Sequence, residues 1–177
     1  RELENTDPTL RELARQDPDP SVRRAGLERL GDLDLLGLIA REDNDTGVRA
    51  AAAERYRALL AGQVAGGPAL ADRLERLRRE SDTELTAYLL RHATEPELRL
   101  TLLERIETES ELADIARENS HPDVRLAALE RVHDPALLDQ IARHNRNRDK
   151  RLYRRARERL DALAAEQERA VHGERLC

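Results

Sequence analysis

The sequence has no Phe, Trp or Met and only three Tyr among its 177 residues, so aromatic packing cannot build its core. Leu, Ile, Val and Ala must supply nearly all apolar contact, a composition suited to closely packed helices and poor for sheets. A single cysteine, Cys177, excludes an intrachain disulfide and any cysteine-based zinc site, which fits a reducing cytoplasm. Lysine is also nearly absent: Lys150 is the only one, and Arg carries the remaining basic charge. Together with abundant Ala and Leu this bias points to a GC-rich bacterial genome, so a high Arg count is not by itself a sign of phosphate recognition. No run is long and apolar enough to cross a membrane, and no secretory signal is visible. The chain starts at Arg1 and is expected to be a piece of a longer protein.

What is present is charge and periodicity. Charged residues make up 38% of the chain, with net charge −5 and pI near 5.7, a balance that gives no global attraction to nucleic acid. Val22, Val48, Leu98, Val124 and Lys150 fall in one column with separations of 26, 50, 26 and 26 residues, and a fixed period of this length marks stacked helical repeats. Nine residues before these anchors stand Leu13, Ile39, Leu89, Ile115 and Ile141. Two residues after those stand Arg15, Arg41, Arg91, Arg117 and Arg143. One residue past each anchor is Arg23, Arg49, Arg99, Arg125 or Arg151, and Glu-Arg recurs at Glu28, Glu54, Glu104 and Glu130.

Each unit reads as a helix pair. Thr9 to Gln16, then the turn Asp17-Pro18-Asp19-Pro20 and a second helix through Leu30, form the first, and Asp32 caps the next. The 50-residue interval holds the break Gly62 to Pro68 and the amphipathic run Ala69 to Arg79, so a degenerate repeat or an extra helix is expected near 62–80. Capping boxes are read at Ser81 to Glu84, Thr94 to Glu97 and Thr108 to Glu111, where side chains satisfy helix-end N–H groups reciprocally. Ser120 is read as a cap, Pro122 as a first-turn residue, and Asp134-Pro135 as the opening of another helix. A longer last helix is expected over about 148–168, apolar at Leu152, Tyr153, Ala156, Leu160 and Leu163.

The string Pro122-Asp123-Val124-Arg125-Leu126-Ala127-Ala128-Leu129 resembles HEAT-like repeats, and the compact period resembles the short variety of phycobilisome lyase proteins. The resemblance covers most of residues 9–141. It implies an all-α, right-handed α-solenoid of about five or six stacked antiparallel helix pairs, one array over residues 1–177, with the second helices on a concave side. It also implies that the Asp and Arg of the motif bridge adjacent repeats.

Scaffold explains most of the recurring residues. The Arg after each anchor lies beside the apolar stripe, where its stem packs and its head reaches neighbouring carboxylates and carbonyls. The Arg near each first-helix C-terminus complements the dipole. Glu28, Glu54, Glu104 and Glu130 sit opposite the apolar face and are candidates for a carboxylate row that meets a basic partner. The sharpest anomaly is 143–159, with nine basic residues against Asp149 and Glu158, while 82–142 carries net −8. Arg148, Arg151, Arg154, Arg155 and Arg157 are therefore candidates for a second contact surface.

The expected function is a non-enzymatic scaffold that binds protein through these charged faces, with no cofactor, no metal and no membrane. Self-association, by docking of the basic helix on acidic repeats, is one form of it. Nucleic acid bound through 143–159 is the alternative. A lyase-like enzyme is a further one, against which the five histidines show no metal-ligand spacing and Gly66-Gly67-Pro68 lacks the lysine and hydroxyl of a phosphate loop.

Overall fold

A computed structural model describes residues 7–174, and Cys177 lies outside them. These residues are helical without a strand, in eleven helices. The first six are α1 (Pro8–Gln16), α2 (Pro20–Leu27), α3 (Leu33–Glu42), α4 (Thr46–Leu60), α5 (Leu70–Arg78) and α6 (Thr83–His92). The rest are α7 (Pro96–Leu103), α8 (Glu109–Glu118), α9 (Pro122–Glu130), α10 (Pro135–Asn145) and α11 (Lys150–Glu174). The chain divides into two compact units that join between Glu95 and Pro96. In the first, α1 packs on α2, α3 on α4, α2 on α4 and α4 on α6. In the second, α7, α9 and α11 lie side by side, α8 lies beside α10, and α8–α9 and α10–α11 pack across.

Capping residues fix where the helices start. Asp7, Asp19, Asp32, Asp45, Asp82 and Asp134 each accept a bond from a first-turn N–H. Thr108 caps α8 as its capping box requires, receiving the Glu111 N–H. Two other readings are corrected. Asp82 rather than Ser81 caps α6, because its carboxylate takes both the Glu84 and Leu85 N–H groups. The Thr94 hydroxyl, before α7, donates to Glu95 and to the Ala61 carbonyl. Ser120 is likewise not a cap: His121 precedes Pro122 at the start of α9, and the buried Asn119 side chain accepts the His121 N–H at 2.9 Å.

The apolar column is the third residue of each second helix. Val48, Leu98 and Val124 are fully buried there. In α11 that place belongs to Leu152, which is buried, whereas Lys150 is the exposed first residue. The last anchor is thus two residues later than the 26-residue period places it, because α10 is one residue longer than α8 and its turn continues through Arg148. Val22 occupies the same third position in α2 yet is 38% exposed, since no described helix covers its outer side.

The interval with no repeat match holds a single extra helix. Gly62 has φ +73, a left-handed conformation that admits glycine at low cost, and it turns the chain after α4. A side chain there would meet Arg73 Nη1 and Thr94 Oγ1 at 2.5 Å. The Arg73 side chain from α5 fills that space instead, only 4% exposed, donating to the Leu60 carbonyl at 3.2 Å and to Glu95 through both terminal nitrogens. Farther along α5, Arg76 reaches Asp34 and donates to the Tyr56 hydroxyl at 3.1 Å, which donates to Glu80 at 2.6 Å. Burial and the Glu80 carboxylate push the Tyr56 phenol up to about 12.

Gly62→Ala is expected to destabilise the first unit by about 2 kcal/mol or more, because it combines a disfavoured backbone region with a steric clash, as measured by urea unfolding. A second expectation concerns acid. Hydrogen bonding from Arg73 holds the Glu95 carboxylate down at about 2 against an ordinary 4.5. A lowered folded-state pKa gives stability that is complete above the ordinary carboxylate range and is lost as pH falls toward about 2. Unfolding free energy measured from pH 7 downward should therefore decline below pH about 4.5, and Glu95→Gln should flatten that decline.

Candidate functional site

The recurring arginines are consumed inside the units. The Arg23 guanidinium donates to the Asp17 carbonyl at 2.7 Å in its own repeat and grips the Asp43 carboxylate of the next with two bonds of 2.9 Å. Arg125 repeats the arrangement, donating to the Asn119 carbonyl at 2.9 Å and the Asp149 carboxylate at 2.7 Å. Arg99 pairs with Asp123 at 3.1 Å, and Arg49 donates to the Asp43 carbonyl at 2.6 Å. The motif Arg therefore bridges neighbouring helix pairs in each unit, but its acceptor differs: Asp123 of the motif for Arg99, and Asp43 at the end of α3 for Arg23. Arg23 and Arg125 hold Asp43 and Asp149 below the usual carboxylate range, chiefly by hydrogen bonding.

Arg151 does not join this column. The two-residue shift that places Leu152 as anchor leaves Arg151 exposed in the first turn of α11. The arginines near first-helix ends sit in last turns as expected, and Arg117 and Arg143 pair with Asp114 and Asp139 of their own helices.

Two scaffold columns were not singled out from sequence. Asp17, Asp43 and Asn119, at the C-terminal caps of first helices, accept the N–H two residues on at 2.9 Å in each case. Their signal is the same period, since each lies five residues before an anchor. The second column is the Arg of each Glu-Arg pair. Arg55 donates to the Leu30 carbonyl at 3.0 Å, and Arg131 to the Leu103 and Ile106 carbonyls at 2.5 and 2.6 Å. Each ties down unsatisfied carbonyls at the end of the preceding second helix.

The carboxylates of those pairs separate into two kinds. Glu28, Glu54 and Glu104 are exposed. Glu28 and Glu54 line one open groove between α2 and α4, floored by Ala25, Ala51 and Ala58 and flanked by Arg24 and Arg55. Glu130 has a different fate. Arg155 binds it through two nitrogens at 2.5 and 2.8 Å, and Arg159 approaches at 3.5 Å while capping the Leu129 carbonyl. The Arg155 guanidinium accordingly lowers the Glu130 pKa, and Glu130, followed by Glu158, raises that of Arg155. One expected acidic contact and one expected basic contact are thus partners of each other.

The other basic candidates are dispersed. Arg148 contacts His144 Nε2 at 2.7 Å, and Arg157 lies 3.8 Å from Asp161. Lys150, Arg151 and Arg154 are exposed and form no side-chain ion pair among the described residues. With Leu126, Glu130, Arg155 and Glu158 they line an open groove between α9 and α11. Among the described residues no group of His, Cys, Asp and Glu has metal-site geometry, and no helix is long and apolar enough to cross a membrane.

The fold and faces define an all-α chain whose helices are compatible with a helical-repeat fold. No family model, curated protein or solved structure matches it.

The division between scaffold arginines and exposed carboxylates is measurable. Arg131→Ala should cost about 1–3 kcal/mol, because it uncaps buried carbonyls. Glu28→Gln and Glu54→Gln should each change stability by less than about 0.5 kcal/mol, all by denaturant unfolding.

Proposed function

We propose that this chain is a HEAT-like α-solenoid scaffold that binds a protein partner through charged faces of its second helices and carries out no chemistry of its own. The right-handed sense of the solenoid comes from the repeat resemblance. The observation that carries the reading is the partition of charge. The arginines at the repeat junctions are spent on neighbouring carbonyls and carboxylates, while Glu54, Lys150, Arg151 and Arg154 are held in solvent on second helices and Glu28 and Glu104 just past the ends of theirs. Within each unit, helices locked to each other in this way present that unit's charged groups at fixed spacing, and fixed spacing is what lets charge select a partner.

Nucleic acid is the second reading, and the exposed cations of the α9–α11 groove are the observation in its favour. Photo-cross-linking groups placed at positions 54 and 154 of the full chain, in lysate of the native cell, separate the two. The scaffold reading expects discrete protein adducts at one or both positions, diminished by Glu28→Arg or by Arg151→Glu on the respective face. Adducts sensitive to nuclease alone, or none at either position, would overturn it.

A further inference from the structure

We propose that the groove between α9 and α11 docks an acidic polypeptide segment carrying one aliphatic side chain, its carboxylates meeting Lys150, Arg151 and Arg154 and its aliphatic group seated on Leu126. This rests on the scaffold reading and narrows it to one face of the second unit.

The groove is lined by both signs of charge. Both carboxylates that line it are already engaged: Glu130 is bonded to Arg155 and Arg159, and Glu158 to Arg155 at 3.3 Å. Lys150, Arg151 and Arg154 have no such compensation, so the groove retains an excess of positive charge carried by side chains free to move. Their position also works against their own helix. Lys150 and Arg151 occupy the first turn of α11, where no acidic residue follows Asp149 and where cations oppose the helix dipole. The potentials of the cations and of the helix end therefore add, and an anionic ligand relieves both.

The floor decides between polypeptide and nucleic acid. Leu126 is half-buried in the groove, an apolar seat among charged walls. Leu100 stands two residues past its anchor on neighbouring α7 just as Leu126 does on α9, and is 38% exposed, so the apolar strip extends from the groove onto the next helix. A phosphate backbone gains nothing from leucine, whereas a polypeptide can seat an aliphatic side chain on it. Base stacking has little to use either, because Tyr153 is the sole aromatic of α11 and is half-buried. A segment with carboxylates around a leucine-like side chain satisfies both features at once.

The test uses the full chain and three fluorescein-labelled probes: a peptide of Glu and Ala around a central Leu, the same peptide with Ser in place of Leu, and a mixed-sequence DNA oligonucleotide. Anisotropy should show the Leu peptide binding at low ionic strength, and binding should weaken about tenfold or more in Arg151→Glu/Arg154→Glu with the helical circular dichroism unchanged. Leu126→Ser should weaken the Leu peptide about threefold or more and leave the Ser peptide unaffected, the signature of a direct contact. Glu28→Arg/Glu54→Arg, in the first unit, should leave all probes unchanged. The proposal is overturned by failure of the Leu peptide to bind, by tighter binding of the oligonucleotide, or by indifference to the Arg151→Glu/Arg154→Glu change. A dimer that dissociates in that variant but is not displaced by the peptide would also overturn it, in favour of a second copy of the chain. Loss of this site with cross-links at position 54 intact leaves the scaffold reading standing.

Discussion

The guanidinium one residue past the anchor of α2, α7 and α9 is the interaction that ties each of these repeats to the next. A helix pair this short buries one apolar stripe and leaves carbonyls exposed at its turn. In Arg23 and Arg125 a single side chain answers both problems, closing the turn of its own repeat through a carbonyl and holding the head of the next repeat through a carboxylate. Only a planar, permanently charged fork on a long stem can do this, which is why lysine is not an equivalent at these positions. The acceptor varies between Asp43, Asp123 and Asp149 while the donor stays in register, so the stacking geometry is set from the Arg side.

That arrangement limits where recognition can occur. Groups at the repeat junctions are bonded to neighbouring helices and half-buried or buried, and moving them would open the stack. The outer positions of second helices carry no such duty. Glu28 and Glu54 stand over a floor of alanines, small enough to let another chain approach the helices closely, and Lys150, Arg151 and Arg154 surround a leucine. The two units thus offer faces of different character: one balanced between Glu and Arg, the other with uncompensated cations.

The irregular stretch between the repeats is held by different means. Gly62 turns the chain, and α5 sends Arg73 back beneath it to the end of α4 and to Glu95. A helix without the repeat pattern is tolerated there because its polar side chains replace the contacts that a standard pair would make. Its sequence, amphipathic but lacking the Val-Arg core, announced an extra helix; the buried role of Arg73 was not legible, since nothing in the order of residues distinguishes it from the exposed Arg78 and Arg79 beside it.

Element type, the helix starts at Asp32 and Asp134 and the buried anchors Val48, Leu98 and Val124 were legible in the sequence, because capping and 3.6-residue periodicity are local and leave local traces. The arginine bridges were legible for the same reason, as repetition made each copy evidence for the others. Tertiary structure alone decided the rest. It replaced Lys150 by Leu152 as the last anchor, because the extra residue of α10 and the turn that follows it through Arg148 shift the register of α11. It withdrew Glu130 and Arg155 from the free surface, because packing α11 against α9 brings residues 25 apart into contact. And it set Leu126 of α9 among Lys150, Arg151 and Arg154, which share one end of α11, a juxtaposition that depends on which faces of two helices meet.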